Sequence, residues 1–329
     1  MSSHIEDHQP TFEIEGSICG FWRRIFAFVI DVTIIGFVGF CIGTAGYDFF
    51  ATLGIYGRLV GFIIALFYFG LGNSSIFGGQ TIGKKLLKIQ VVTLNGVTIS
   101  PVKSFLRYTI FSLPFFLNGA PFPPTILQNK IVMILSGFIV FFMGGSIIYL
   151  YLFNRRTRQS LHDIALQTYV VNKDSSPSIL PIWKGHYVTL GVFFVAFIVA
   201  VTVLLPKVAK NQFFQDLQAT QLEIQKSGLV EYSTVSSGKS WSSTSTGTSE
   251  VTYCAVNAKL NHRPNDFDST INTLAKIVLK SYQPVYEKTS LTINAIYGYD
   301  IGIASAWKNQ SKSYSPKEWE ELLTNGGNI

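Results

Sequence analysis

The stretch IFAFVIDVTIIGFVGFCIGTA at residues 25–45 is apolar apart from Asp31 and the threonines Thr33 and Thr44. At about 1.5 Å of rise per residue, a helix of about 20 such residues crosses the roughly 30 Å hydrocarbon core of a bilayer. It reads as a first membrane span, and three further runs read the same way: 53–71, 131–153 and 187–205, the last stopped by Pro206 and Lys207. Tyr56 and Tyr68 suit the two interfaces of the second span.

Composition agrees. The 329 residues are 48% hydrophobic and only 14% charged, with a mean hydropathy of +0.32, more apolar material than one soluble core needs. The net charge of +7 sits at the ends of apolar segments rather than along one face with interleaved aromatics, so nucleic acid is not the partner it implies. Residues 1–20 are polar and carry Glu6, Asp7, Glu13 and Glu15, unlike a secretory leader, and form a cytoplasmic tail. Cys19, Cys41 and Cys254 are scattered, which argues against a disulfide framework or a cysteine metal site.

The segment 105–118 is short, holds Arg107 and Pro114 and runs into Ala120-Pro121-Phe122-Pro123-Pro124. Charge bias decides its reading. Arg23 and Arg24, then Lys84, Lys85, Lys88 and Lys103, then Arg155, Arg156 and Arg158 all fall on one side only if it crosses. About five spans follow, in an all-α bundle over 21–171 plus a last helix at 187–206. The N-terminus and the 172–186 linker are then cytoplasmic, and everything from 207 to 329 lies outside. The envelope assumed is a bacterial inner membrane.

Two polar regions remain. On the inner side, the β-rich runs around Asn95-Gly96 predict a small hairpin over 87–100, with the β-rich 167–171 placed to pair with it. On the outer side, 207–226 reads as a helical stalk ended by Gly228, and 233–249, rich in Ser, Thr and Gly, as an exposed loop. Beyond it, alternation over 251–260 and at Leu291, Ile293, Ala295 and Tyr297 predicts strands, and Phe267, Ile271, Leu274 and Val278 one helical face. Ser315-Pro316-Lys317-Glu318 is a capping box that opens a last helix, which Gly326 and Gly327 stop. The outer region is α+β.

Among residues able to carry chemistry, Asp31 stands first, because a carboxylate within a span costs roughly 3 kcal/mol or more unless paired or hydrated. Arg24, about 10 Å back along the same helix, is too far to meet it. Either Asp31 binds a cation or proton in the bundle, or it pairs with an arginine of another span, Arg58 or Arg107. Gly36, Gly39 and Gly43, Gly57 and Gly61, and Gly137 and Gly144 have spacings that suit close helix approach. Gly78 to Lys84 superficially fits a phosphate loop, but Lys85 replaces the required hydroxyl residue and a span precedes it. His162 and Asp163 adjoin in sequence without a nucleophile, which favours a loop-fixing role over catalysis. His262 has no companion for a metal. No catalytic residues, metal or cofactor are expected.

Arg24 and Asp31 in the first span, Gly79-Gln80-Thr81-Ile82-Gly83-Lys84-Lys85, and Arg158-Gln159-Ser160-Leu161-His162-Asp163 before a closing strand, in that order, resemble the RDD family over 21–171. The resemblance implies a bacterial multi-pass membrane protein with Arg24 (or its neighbour Arg23), Asp31 and Asp163 as signature positions. It also implies small-ion or solute transport, with cation/proton antiport suggested for some members. The alternative is a membrane-anchored interaction protein that binds an envelope component through 207–329, for which deletion of that region is the discriminating test.

Overall fold

A computed structural model describes residues 18–120, 129–173, 175, 181–244 and 247–325. Most of the acidic N-terminal tail, the proline-rich stretch Pro121 to Pro124, part of the 172–186 linker and the Gly326-Gly327 stop lie outside the described residues.

Four helices are long and apolar enough to cross a membrane: α1 at Phe21–Ala45, α3 with its leading 3-10 turn at Gly54–Gly72, α6 at Lys130–Phe153 and α8 at Lys184–Ala209. Between the first two lies α2, Tyr47–Thr52. The doubtful segment forms α5, Pro101–Leu117, with Pro114 inside it. At about 25 Å it is shorter than the hydrocarbon core, so the helices of spanning length number four among the described residues, and α5 is a shorter companion. Pro206 does not stop α8. A π turn over Ala200–Leu204 precedes it, and the wider turn lets the helix continue past a residue with no N–H to donate.

The chain divides into two compact units, the first of Met1–Ile34, Ala65–Leu113 and Met143–Gly191. Here α4, Ile82–Leu86, leads into β1, Ile89–Thr93, and α7, Leu161–Ala165, into β2, Thr168–Asn172. The two strands pair antiparallel from Ile89↔Asn172 to Thr93↔Thr168. Thr93 does accept the predicted turn, with Gly96 at φ +75° and Thr93 N–H bonded to Val97 O at 2.8 Å. The 97–100 arm makes only a bridge at Val92↔Thr98, because Pro101 starts α5 directly after it. The hairpin partner of β1 is therefore β2. Cys19, Ala27, Ile89, Val91, Ile99 and Val170 form the apolar core beneath.

The second unit comprises Ile35–Ile64, Pro114–Phe142 and Val192–Ile329. After α8, Asn211 accepts from Phe213 N–H at 2.9 Å and caps α9, Gln212–Lys226, so the predicted stalk is broken at Lys210-Asn211. A four-stranded sheet runs in the order β3-β4-β5-β6: β3 is Val230–Thr244 and β4 Gly247–Leu260, β5 is Ser290–Asp300 and β6 Ser305–Tyr314. β4 and β5 are parallel and joined through α10, Phe267–Ser281; the other pairs are antiparallel. The expected loop at 233–249 is thus a long hairpin. Its strand signal is diluted because Ser233 and Ser237 flank Val235 on the core side, opposite Ala258, Cys254 and Val256.

The core joins Ile224 of α9, Leu274 and Val278 of α10, the inward residues of β4 and β5, and Trp319 of α11, Pro316–Thr324. Trp319 is fully buried, and its indole N–H donates to Leu291 O at 2.8 Å. The capping box forms as predicted, Ser315 N–H donating to Glu318 Oε2 at 2.7 Å. Removing the Ser315 hydroxyl (Ser315→Ala) leaves one first-turn N–H unsatisfied, and the expected loss is about 1 kcal/mol, read from unfolding of the detergent-solubilised protein.

The tip between β5 and β6, Ile301 to Ala304, is closed by Ile301 N–H to Ala304 O at 3.0 Å and seats against α1 and α3. A Cβ added at Gly39 would lie 2.7 Å from Ile303 Cγ1, one at Gly57 would lie 2.7 Å from Asp300 O, and one at Gly61 would overlap the Ile301 carbonyl oxygen. The α1 and α3 glycines expected to admit a neighbouring helix thus admit a β-hairpin, whereas Gly137 of α6 does face a helix, at Phe197 of α8. Arg58 secures it, pairing with Asp300 at 2.8 Å and donating to Asn118 O at 2.8 Å.

Candidate functional site

The first unit gathers the polar residues of three signature segments into a buried centre. Asp163, near the start of α7, is nearly inaccessible, with 1% of its side chain exposed. Arg24 of α1 approaches its Oδ2 at 3.0 Å and Arg107 of α5 its Oδ1 at 2.6 Å. Thr168 Oγ1 donates to Oδ1 at 3.0 Å, and Ser160 N–H donates to Oδ2 at 3.3 Å, so the same carboxylate completes a capping box on α7. Burial opposes its charge, but Arg107 and Arg24 outweigh burial and hold the carboxyl well below the usual carboxylate range. Arg24 also donates to Arg158 O and lies over the Tyr151 ring, 5.1 Å from its centroid.

His162 Nε2 lies 3.5 Å from Asp163 Oδ2, closer than adjacent residues usually bring their side chains. Burial, with Arg107 and Arg24 beside it, outweighs the carboxylate and pushes the imidazole down to about 3, so it is neutral at physiological pH. Its ring packs edge-on to Phe111 at 5.0 Å.

Asp31 is built differently. Its side chain is buried in α1, the residue being 1% exposed. Oδ1 accepts from Tyr68 Oη at 2.7 Å and from Gly83 N–H at 2.8 Å, and Oδ2 accepts from Thr81 Oγ1 at 2.6 Å. All three donors are neutral, and none of the ion pairs among the described residues includes Asp31. The expected arginine partners are committed elsewhere, Arg107 to Asp163 and Arg58 to Asp300. Arg23 is also outside the centre, donating to Asn172 Oδ1 and Leu87 O, each at 2.8 Å.

The segment that resembled a phosphate loop supplies two of the three donors. Thr81 caps α4, and Gly83 lies so close to α1 that a Cβ there would overlap the Ala27 carbonyl and come within 2.9 Å of Asp31 Oδ1. Tyr68, read from sequence as an interfacial ring, turns its hydroxyl to the carboxylate. Neither Tyr68 nor Thr81 carries a local signal of this role; the Gly-Gln-Thr-Ile-Gly run alone marks a segment whose backbone must approach a neighbour closely.

No curated protein and no solved structure matches the chain significantly. The model of the RDD family matches residues 18–167, the part that contains α1 through α7 and every residue of this centre but Thr168. Residues 18–167 therefore form an RDD-family region, in a chain with several apolar helices of membrane-spanning length.

Proposed function

We propose that the RDD region moves a small ion or solute across a bacterial inner membrane, by cation/proton exchange, with Asp31 as the group that receives the cation or proton. The observation that carries this reading is the contrast between the two buried carboxylates. Asp163 has two guanidinium partners and is a structural ion pair, whereas Asp31 has neutral donors and, among the described residues, no ion-pair partner. Burying a lone charge costs several kcal/mol, and intramembrane ionisable residues mark ion or proton paths by default. A visiting cation or proton would take the ion-pairing place on this carboxylate that no side chain fills. In this reading α5, though short, also crosses, so the N-terminus and the Asp163 centre face the cytoplasm, in keeping with the basic loops, and the 207–329 region lies outside.

The test is cation-driven collapse of a proton gradient in proteoliposomes with Na⁺, K⁺ and Li⁺. Asp31→Asn keeps the size and the hydrogen-bonding oxygen, and its flux is expected to fall to the level of empty vesicles while the protein stays folded. Flux equal to wild type in that variant would rule out Asp31 as the binding group.

A second reading, a membrane-anchored protein that recognises an envelope partner, is favoured by the sheet face opposite the core. There Asn294 donates to Asn257 at 3.1 Å and Thr292 meets Ser313 at 2.8 Å, a polar ladder. Deletion of 207–329 does not separate the readings cleanly, because it also removes the hairpin that fills the glycine faces of α1 and α3. Point substitutions on the polar face do.

A further inference from the structure

The formal charges of the buried centre do not cancel. Arg24, Lys84 and Arg107 stand against Asp31 and Asp163, three positive groups against two negative ones, with His162 neutral. The unmatched group is Lys84, which follows Gly83 in α4. Its backbone N–H lies 3.4 Å from Thr81 Oγ1, the hydroxyl that donates to Asp31. Its half-buried side chain donates to Asn73 Oδ1 at 2.5 Å. Asn73 is 2% exposed and is fixed by its own amide, which donates to Phe69 O at 2.8 Å. Lys84 thus holds its position through a neutral acceptor, and no carboxylate pairs with it among the described residues. The charged groups bearing on it from the surrounding elements are Arg107 of α5, Asp31 and Arg24 of α1, and Asp163 of α7.

We propose that Lys84 carries the exchanged proton: when a monovalent cation arrives at Asp31, the Lys84 ammonium releases its proton to water and becomes a neutral amine, and it regains a proton when the cation leaves. The inference rests on the exchange reading above. One cation enters and one proton leaves, so the centre holds one surplus positive charge in both states and never buries a second. Burial, and next the Arg107 guanidinium, push the Lys84 ammonium down to about 7 against the pull of Asp31. Near neutral pH the proton is therefore loosely held, where a surface lysine would keep it.

The experiment adds Na⁺, Li⁺ or K⁺ salts to the detergent-solubilised full chain in weakly buffered solution, following proton release with a pH dye and cation binding by calorimetry. Wild type is expected to release about one proton per bound cation near neutral pH, as linkage requires. Lys84→Met, and Lys84→Gln as a second variant should the first not fold, are expected to bind cation but release none, and to lose the inflection near neutral pH in the proteoliposome flux profile. Proton release from either folded variant equal to wild type would overturn the role of Lys84 while leaving exchange through Asp31 intact. Cation binding or flux absent from wild type itself would instead remove the exchange reading, and the inference with it. Competitive acetylation of wild type across pH adds a check that needs no transport: Lys84 labelling with the profile of an ordinary surface lysine overturns the inference.

Discussion

Asp163→Asn is expected to cost the fold about 3–5 kcal/mol, the range for removing one partner of a buried ion pair. The asparagine fills the same space and still accepts hydrogen bonds, but Arg24 and Arg107 then remain buried with no negative charge between them. The stability of a typical domain, about 5–15 kcal/mol, leaves little after such a loss. A low yield of monodisperse protein and an early thermal transition are the expected readouts. A variant that unfolds within about 0.5 kcal/mol of wild type, the usual span for surface substitutions, would show that the guanidinium groups find other compensation.

The pH dependence follows from the same centre. Asp163 has its folded-state pKa depressed, so its stabilising contribution is fully present above the ordinary carboxylate value of about 4 and is lost only as pH falls through its much lower folded value. His162 behaves differently. The unfolded chain takes up its proton below the ordinary imidazole value of about 6.5, while the folded chain resists until about 3. Between these values the unfolded state binds more protons, so stability falls as pH falls, by at most about 1.4 kcal/mol per pH unit. Mild acid is expected to weaken the first unit through His162 while the Arg24, Asp163 and Arg107 pairing holds.

Gly61→Leu is the second large effect expected. Its Cβ would overlap the Ile301 carbonyl, and Ile303 Cγ1 is 3.0 Å away on the same side. Overpacking a closed interior costs typically about 1–3 kcal/mol, and the upper end is expected here because the struck atom is main chain and cannot rotate aside. The hairpin tip should lift from α3. With Ile303→Cys as reporter in a background lacking Cys19, Cys41 and Cys254, a soluble maleimide is expected to label the Gly61→Leu protein several-fold faster than its Gly61 parent. Equal labelling rates would mean that the tip does not depend on this contact.

The spanning helices were legible because each is a continuous apolar run, a signal that needs no partner. So were α10 and α11, where periodicity and a capping box are local. Long-range pairings were not. Nothing near Asp31 announces Tyr68, Thr81 or Gly83, and nothing near Arg58 announces Asp300, because each contact is decided by how distant segments pack. β3 carries no local strand signal because small hydroxyl residues occupy core-side positions. The glycines of α1 and α3 carried a clear message, close approach, but their spacing does not say whether helix or hairpin approaches. Lys84 was hidden within a motif whose better-known use is phosphate binding.

The seating of the β5 to β6 tip also sets an order of assembly. Tyr47 of α2 donates to Tyr297 O across 250 residues of sequence, and Ile303 fills the face at Gly39 of α1, so these helices are completed by strands made much later in synthesis. Until β5 and β6 have folded, the glycine faces of α1 and α3 lack the hairpin contacts that fill them, and loop closure over that separation makes the step slow. A chain arrested before Ser290 therefore presents an unfinished surface within its first two long helices, open to competing partners and to quality-control proteases. The β5 to β6 hairpin thus acts as a late closing piece in the maturation of the helices it follows.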